Sequence, residues 1–148
     1  MKEVDDKLVN ILLMEDDDID AKGLMRAFKK HQISNPVTRV TNGLEGLKLL
    51  RSNAVPKPLI VLLDLNMPRM NGIEFLNELR NDEQLKETVV FVLTTSHSEV
   101  DLLAAYERNI AGYIVKTNLK TSFDRLIEML TSYWNISELP PNKRVRNP

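Results

Sequence analysis

Cysteine is absent from the 148 residues. Disulfides, thiolate metal sites, iron–sulfur clusters and cysteine nucleophiles are therefore excluded. Histidine is nearly absent. His31 and His97 are too few and too far apart for a histidine-rich metal centre. Long hydrophobic runs are also missing: the longest, such as Leu59–Leu63 and Val89–Leu93, reach 5 residues, whereas a membrane-spanning helix needs about 20. The start, Met-Lys-Glu-Val-Asp-Asp-Lys, offers no apolar export region, so the expected compartment is the cytoplasm. Neither sign of charge dominates. Twenty basic and 21 acidic side chains leave a net charge of -1, which argues against a nucleic-acid or membrane-surface binder. What is present is ordinary globular material, 43% hydrophobic and 28% charged, at the length of one domain.

Five short apolar runs recur at steady intervals: Leu8–Met14, Pro36–Thr41, Leu59–Leu63, Val89–Leu93 and Ala111–Val115. Three are nearly continuous, as in strands covered on both faces. Pro36–Thr41 alternates and carries a proline, which suits an edge strand. Helical patterns lie between the runs. Ala21, Leu24, Met25 and Phe28 share one helical face, as do Phe123, Leu126, Ile127 and Leu130. Segments 43–52, 72–80 and 98–109 also read as helices. Ser98 with Asp101 and Thr121 with Asp124 read as capping boxes. Five β-α units predict an α/β fold: a doubly wound, flavodoxin-like, five-stranded parallel sheet in the order 2-1-3-4-5, with helices on both faces. The expected division is a domain over 1–134 and a C-terminal extension over 135–148. That extension holds three of the 7 prolines and cannot be regular helix throughout. Trp134, Ile136, Leu139 and Val145 would be costly to leave in water, so it reads as a docking arm or a disordered end.

The polar residues fall where the strands stop. Glu15, Asp16 and Asp17 follow the first strand, Asp64 the third, Thr94-Thr95-Ser96 the fourth and Lys116 the fifth. The carboxyl edge of a doubly wound sheet is where ligands bind, at the switch point between strands one and three. Three carboxylates gathered there must take up protons or share a cation. Oxygen ligands without histidine or cysteine select a hard ion, and Mg²⁺ fits best. A lysine and a threonine hydroxyl beside it suit an anionic group. The set reads as a site for a phosphoryl group with Asp64 as nucleophile. Taken singly, each piece is an ordinary helix cap, turn residue or surface lysine; their meeting at one edge carries the reading.

These residues resemble the receiver domain of two-component response regulators over roughly residues 8–131. The most specific piece is Asp64-Leu65-Asn66-Met67-Pro68-Arg69-Met70-Asn71-Gly72. Val92-Leu93-Thr94-Thr95 and Gly112-Tyr113-Ile114-Val115-Lys116 follow in the family's order. The resemblance implies that Asp64 accepts a phosphoryl group from a kinase phosphohistidine. It implies that Asp16 holds Mg²⁺ directly, that Glu15 does so directly or through water, and that the Asn66 backbone carbonyl completes the ligands with Asp64. Lys116 would pair with the carboxylate and then with the phosphoryl group. Thr94 would turn inward to bond a phosphoryl oxygen, and Tyr113 would follow as the switch. Asn66 and Ser96 would tune self-hydrolysis. The protein would then be a phosphoacceptor, with self-phosphorylation and self-dephosphorylation its only chemistry.

Two positions depart from the family pattern. The acidic pair begins with Glu15 where the family usually has aspartate. Thr117 follows the lysine where the family usually has proline, often after a cis bond. A cis bond before threonine would cost roughly 2.5–4 kcal/mol, which leaves a trans bond with a different loop, or a strained cis bond. No DNA-recognition helix fits after the fifth helical pattern, so the expectation is a stand-alone receiver that binds neither nucleic acid nor membrane. Glu15, the Leu93-Thr94-Thr95-Ser96 run and the extension make it similar to the small regulators paired with phytochromes. That resemblance implies a sensor histidine kinase of bacteriophytochrome type as partner. It also implies a homodimer through the face of the fourth helix, fifth strand and fifth helix and through the C-terminal tail, motivated by Tyr133, Trp134, Ile136 and Leu139. Two other readings stay open: a metal-dependent phosphatase of haloacid-dehalogenase type, and a partner-binding pseudo-receiver that is never phosphorylated.

Overall fold

The computed structural model describes residues 8–119 and 122–141. The elements in chain order are β1 (Asn10–Met14), α1 (Asp18–Lys30), β2 (Val37–Val40), α2 (Gly43–Arg51), β3 (Leu59–Leu63), α3 (Gly72–Arg80), β4 (Val89–Thr94), α4 (Glu99–Glu107), β5 (Gly112–Val115) and α5 (Asp124–Ile136). A 3₁₀ turn, Lys116–Leu119, links β5 to α5. All neighbouring strands pair in parallel, in the order β2-β1-β3-β4-β5, as the sequence predicts. Among the described residues no helix is long and apolar enough to cross a membrane.

β1 and β3 are buried along their whole length and β4 nearly so, while the edge strands β2 and β5 are only partly covered. Side chains alternate between two cores, as a pleat requires. Leu12, Met14, Val61, Leu63, Val90 and Val92 face α2 and α3 through Leu47, Leu50, Phe75, Leu76 and Leu79, with Ala105 of α4 beside them. Ile11, Leu13, Ile60, Leu62, Phe91 and Leu93 face α1 and α5 through Leu24, Phe28, Leu126, Leu130 and Trp134.

Several local expectations change. The buried face of α1 is Ala21, Leu24, Ala27 and Phe28, and Met25 is 43% exposed. The buried stripe of α5 is Leu126, Ile127, Leu130 and Trp134, with Phe123 at the N-cap and packed against the same core. Thr121 lies outside the described residues, and α5 starts without a side-chain cap; the Asp124 carboxylate instead meets His31 at 2.7 Å and Lys30 at 3.3 Å. Ser98 does cap α4, but the box is not closed, because Asp101 accepts from the Ser96 hydroxyl at 2.6 Å. α5 also runs two residues past 134, to Ile136, and Leu139 packs back on the second core. Val145 lies outside the described residues.

Arg80 ties the far end of the sheet without any carboxylate. Its guanidinium donates to the carbonyls of Lys86, Thr88, Arg108 and Asn109 at 2.7–3.0 Å. At the near end, Gly72 lets α3 begin against the segment after β3. A Cβ there would stand 2.7 Å from the Leu65 Cα and 2.9 Å from the Asp64 carbonyl oxygen. Both are backbone atoms, so the loop itself would have to move. Gly72→Ala is expected to cost about 1–3 kcal/mol in urea unfolding; unchanged stability would contradict the close-packing argument.

Candidate functional site

Strand register brings the polar residues together. Met14 pairs with Leu63, so Glu15 and Asp64 leave the sheet side by side; Asp64 N–H donates to the Met14 carbonyl at 3.0 Å. Leu63 pairs with Val92 and Thr94 with Val115, which sets Thr94 and Lys116 on the same edge. The acidic run then enters α1, where Asp17 is the N-cap and accepts from the Ile19 and Asp20 N–H groups.

Glu15, Asp16 and Asp64 each offer a carboxylate oxygen, and these three atoms lie within 4.8 Å of one another. Glu15 is 2% and Asp64 7% exposed, while Asp16 faces solvent. An all-oxygen set this tight fits a hard divalent cation. Lys116 Nζ reaches Glu15 Oε1 at 2.6 Å, Asp20 Oδ2 at 2.7 Å and Asp64 Oδ2 at 3.4 Å. Burial pushes the Glu15 carboxyl up to about 7; the hydrogen bond from Lys116 opposes this and the Asp64 charge adds to it. Burial would lower the Lys116 ammonium, but Asp20, Glu15 and Asp64 together carry it above its ordinary value. One ammonium does not balance the acids, and a dication at this place would offset both their burial and their mutual repulsion.

The remaining predicted residues line the same place. Thr94 is fully buried, and its Oγ1 accepts from the Ser96 N–H at 3.3 Å. Asn66 N–H donates to Asp64 Oδ1 at 3.1 Å, so its backbone turns directly beside the acceptor. Tyr113 is half-buried, with its hydroxyl donating to the Ser96 carbonyl at 3.3 Å. Lys116–Thr117 is trans; the cis bond among the described residues is Lys57–Pro58. The 3₁₀ turn starting at Lys116 takes the place of the family's cis-proline loop. Thr117 Oγ1 lies 3.1 Å from His97 Nε2, which joins this turn to the loop after β4.

Two site residues escape the sequence reading. Asp20 sits in the first turn of α1, where an acid looks like an ordinary partner of the helix dipole; only its spacing from the acidic pair hinted at more. Arg39 of β2 donates to the Glu15 carbonyl at 2.9 Å and pairs with Asp18 at 2.8 Å, a role visible only once β2 lies beside β1.

Comparison with known proteins gives a consistent result. The response regulator receiver domain family matches residues 11–131. Response regulator Rcp1 of Synechocystis is 35% identical over 129 residues, 84% of this chain and 87% of that protein. The Mn²⁺-bound crystal structure of Rcp1 superposes with a TM-score of 0.78 at 31% identity, covering 89% of this chain and 99% of the other. The phosphorylated cyanobacterial phytochrome response regulator RcpA gives 0.79 at 32%, covering 89% and 98%. Response regulator RPA3017, from red light signaling of R. palustris, gives 0.75 at 32%, covering 91% and 100%.

Glu15 holds its proton more tightly in the folded chain than in the unfolded one. Its contribution to stability is thus full below about pH 4.5 and lost as pH rises through about 7. Metal-free Glu15→Gln should therefore melt higher than wild type at pH 8, by about 1 kcal/mol or roughly 3 °C. The stabilisation of wild type by Mg²⁺ should be larger at pH 8 than at pH 5.5. Thermal melts by circular dichroism check both; a variant that melts lower at pH 8 would contradict the argument that burial of the Glu15 charge is costly.

Proposed function

This chain belongs to the response regulator receiver domain family, and from that membership we propose that it is a signalling phosphoacceptor whose acceptor atom is an Asp64 carboxylate oxygen. The observation that carries the reading is one constellation: three carboxylate oxygens within 4.8 Å of one another, with the Lys116 ammonium 3.4 Å from Asp64 and a buried Thr94 on the same edge. An Asp64 oxygen attacks the phosphorus of a kinase phosphohistidine. The phosphorus–nitrogen bond breaks, its electron pair stays on the imidazole, and that nitrogen takes a proton from water. The product is an aspartyl phosphate.

Glu15, Asp16, Asp64 and the Asn66 backbone carbonyl would hold Mg²⁺, which supplies charge neutralisation for the incoming phosphoryl oxygens. Lys116 moves onto a phosphoryl oxygen as a point charge. Thr94 exchanges its bond from the Ser96 N–H for a bond to the phosphoryl group, and the Ser96 segment shifts with it. Tyr113 reports this shift because its hydroxyl rests on the Ser96 carbonyl. A single new local charge thus biases two arrangements of the loop after β4. The turnover chemistry is limited to self-phosphorylation and self-dephosphorylation.

The kinase we propose is a cytoplasmic sensor histidine kinase of bacteriophytochrome type, supported by the similarity to RcpA and RPA3017. We also propose a homodimer through α4, β5 and α5. Trp134 and Tyr133 do not support it, because Trp134 is buried within its own chain and Tyr133 packs edge-on against Phe91 at 5.2 Å. Its support is instead Val100, Leu103 and Ile136, exposed by 76%, 62% and 84%. Leu139 of the extension packs on its own chain's core, and signalling would run through protein contacts rather than nucleic acid.

Incubation with acetyl phosphate and Mg²⁺ should add one phosphoryl group by intact mass, and Asp64→Asn should add none; an adduct unchanged by the substitution would overturn the assignment. Sedimentation at tens of micromolar should give a dimer with beryllofluoride, weakened at least tenfold by Leu103→Lys. A monomer under every condition would refute the interface.

A further inference from the structure

The Lys116 ammonium is closer to Asp20 than to the acceptor. It lies 2.7 Å from Asp20 Oδ2 and 3.4 Å from Asp64 Oδ2. The shorter distance is that of a charge-assisted hydrogen bond, and the longer one is a weak contact. The Lys116 side chain is 10% exposed, so few waters compete for its three protons. Asp20 is not one of the three carboxylates that gather as a cation set. It belongs to α1 rather than to a strand end, and the first turn of that helix is fixed by the Asp17 cap. Its place beside the lysine is thus set by a rigid element.

We propose that Asp20 is a positioning residue that holds Lys116 at the rim of the site, away from Asp64, until a phosphoryl group arrives. This rests on the phosphoacceptor reading above. On that reading Lys116 must reach a phosphoryl oxygen on Asp64, and to do so it gives up its bond to Asp20. Asp20 therefore competes with the phosphoryl group for the same ammonium. The occupied state is less favourable by whatever the Lys116–Asp20 pair contributes to the empty one. Glu15 Oε1 also holds Lys116, at 2.6 Å, but on the phosphoacceptor reading that carboxylate would serve a cation, which leaves Asp20 as the holder outside the cation set.

The test is beryllofluoride affinity at saturating Mg²⁺, measured by titration calorimetry on wild type, Asp20→Asn, Asp20→Glu and Asp18→Asn, with the Mg²⁺ affinity of each measured first. Asp18→Asn removes the same charge from the same helix turn, but Asp18 pairs with Arg39 rather than Lys116. Asp20→Asn should bind beryllofluoride about fivefold more tightly than wild type, the upper range for a partly exposed ion pair. Asp18→Asn should change it less than twofold, and Asp20→Glu should return it toward wild type. Equal tightening by Asp18→Asn and Asp20→Asn would make the effect one of bulk charge and overturn the proposal. Unchanged or weaker binding by Asp20→Asn would overturn it too. Failure of wild type to bind beryllofluoride would instead bring down the phosphoacceptor reading, and this inference with it.

Discussion

The structure is organised around too many negative charges in one place. Glu15, Asp16, Asp20 and Asp64 converge where a single ammonium, Lys116, touches three of them. Two of the carboxylates are nearly removed from water, and burial of a charge is costly unless it is paired. The carboxylates are therefore under electrostatic tension, and burial holds the Glu15 carboxyl well above its ordinary range. Such a site is relieved by a cation and responds strongly to an added anion, and both are what a receiver needs. Stability is given up locally so that ligands can shift the balance.

That tension is tolerable because the scaffold beneath it is stiff. The three central strands are buried on both faces, and their register fixes the separation between Glu15, Asp64 and Thr94 before any side chain chooses a rotamer. Gly72 allows α3 to start against the Asp64 backbone. The Arg80 guanidinium gathers four carbonyls at the opposite end. Strand cover thins at the β5 edge. There the loop after β4 is held by small contacts: Ser96 with Asp101, Tyr113 with the Ser96 carbonyl, and His97 with Thr117. Each is a single hydrogen bond worth about 1 kcal/mol, small enough for one phosphoryl group to rearrange.

The β-α alternation was legible because strands covered on both faces must be continuous apolar runs, and five such runs appear in order. The edge position of β2 was legible from its alternation and Pro36. The candidate site was legible in the same way, since residues at the ends of parallel strands share an edge whatever the details. Less visible was anything set by helix rotation or packing across elements. Met25 and Ala27 exchange roles on α1 because the core has room for a small side chain where Phe28 and Leu24 already fill the layer. Trp134, whose place near the end of α5 suggests an intermolecular contact, is buried against its own sheet. Asp20 was hidden because a first-turn acid has a local explanation that needs no partner.

The sequence by itself determined the class of fold, the order of its elements and the gathering of Glu15, Asp16, Asp64, Thr94 and Lys116 at one edge, because these follow from periodicities and strand ends that act over a few residues. The tertiary structure alone decided which carboxylates hold the lysine, that Lys116–Thr117 is trans and opens a 3₁₀ turn, and that Arg39 braces Glu15 from a neighbouring strand. Those outcomes depend on distances of a few tenths of an ångström between residues as much as 101 positions apart. No local preference encodes such distances, and only the packed sheet and its helices set them.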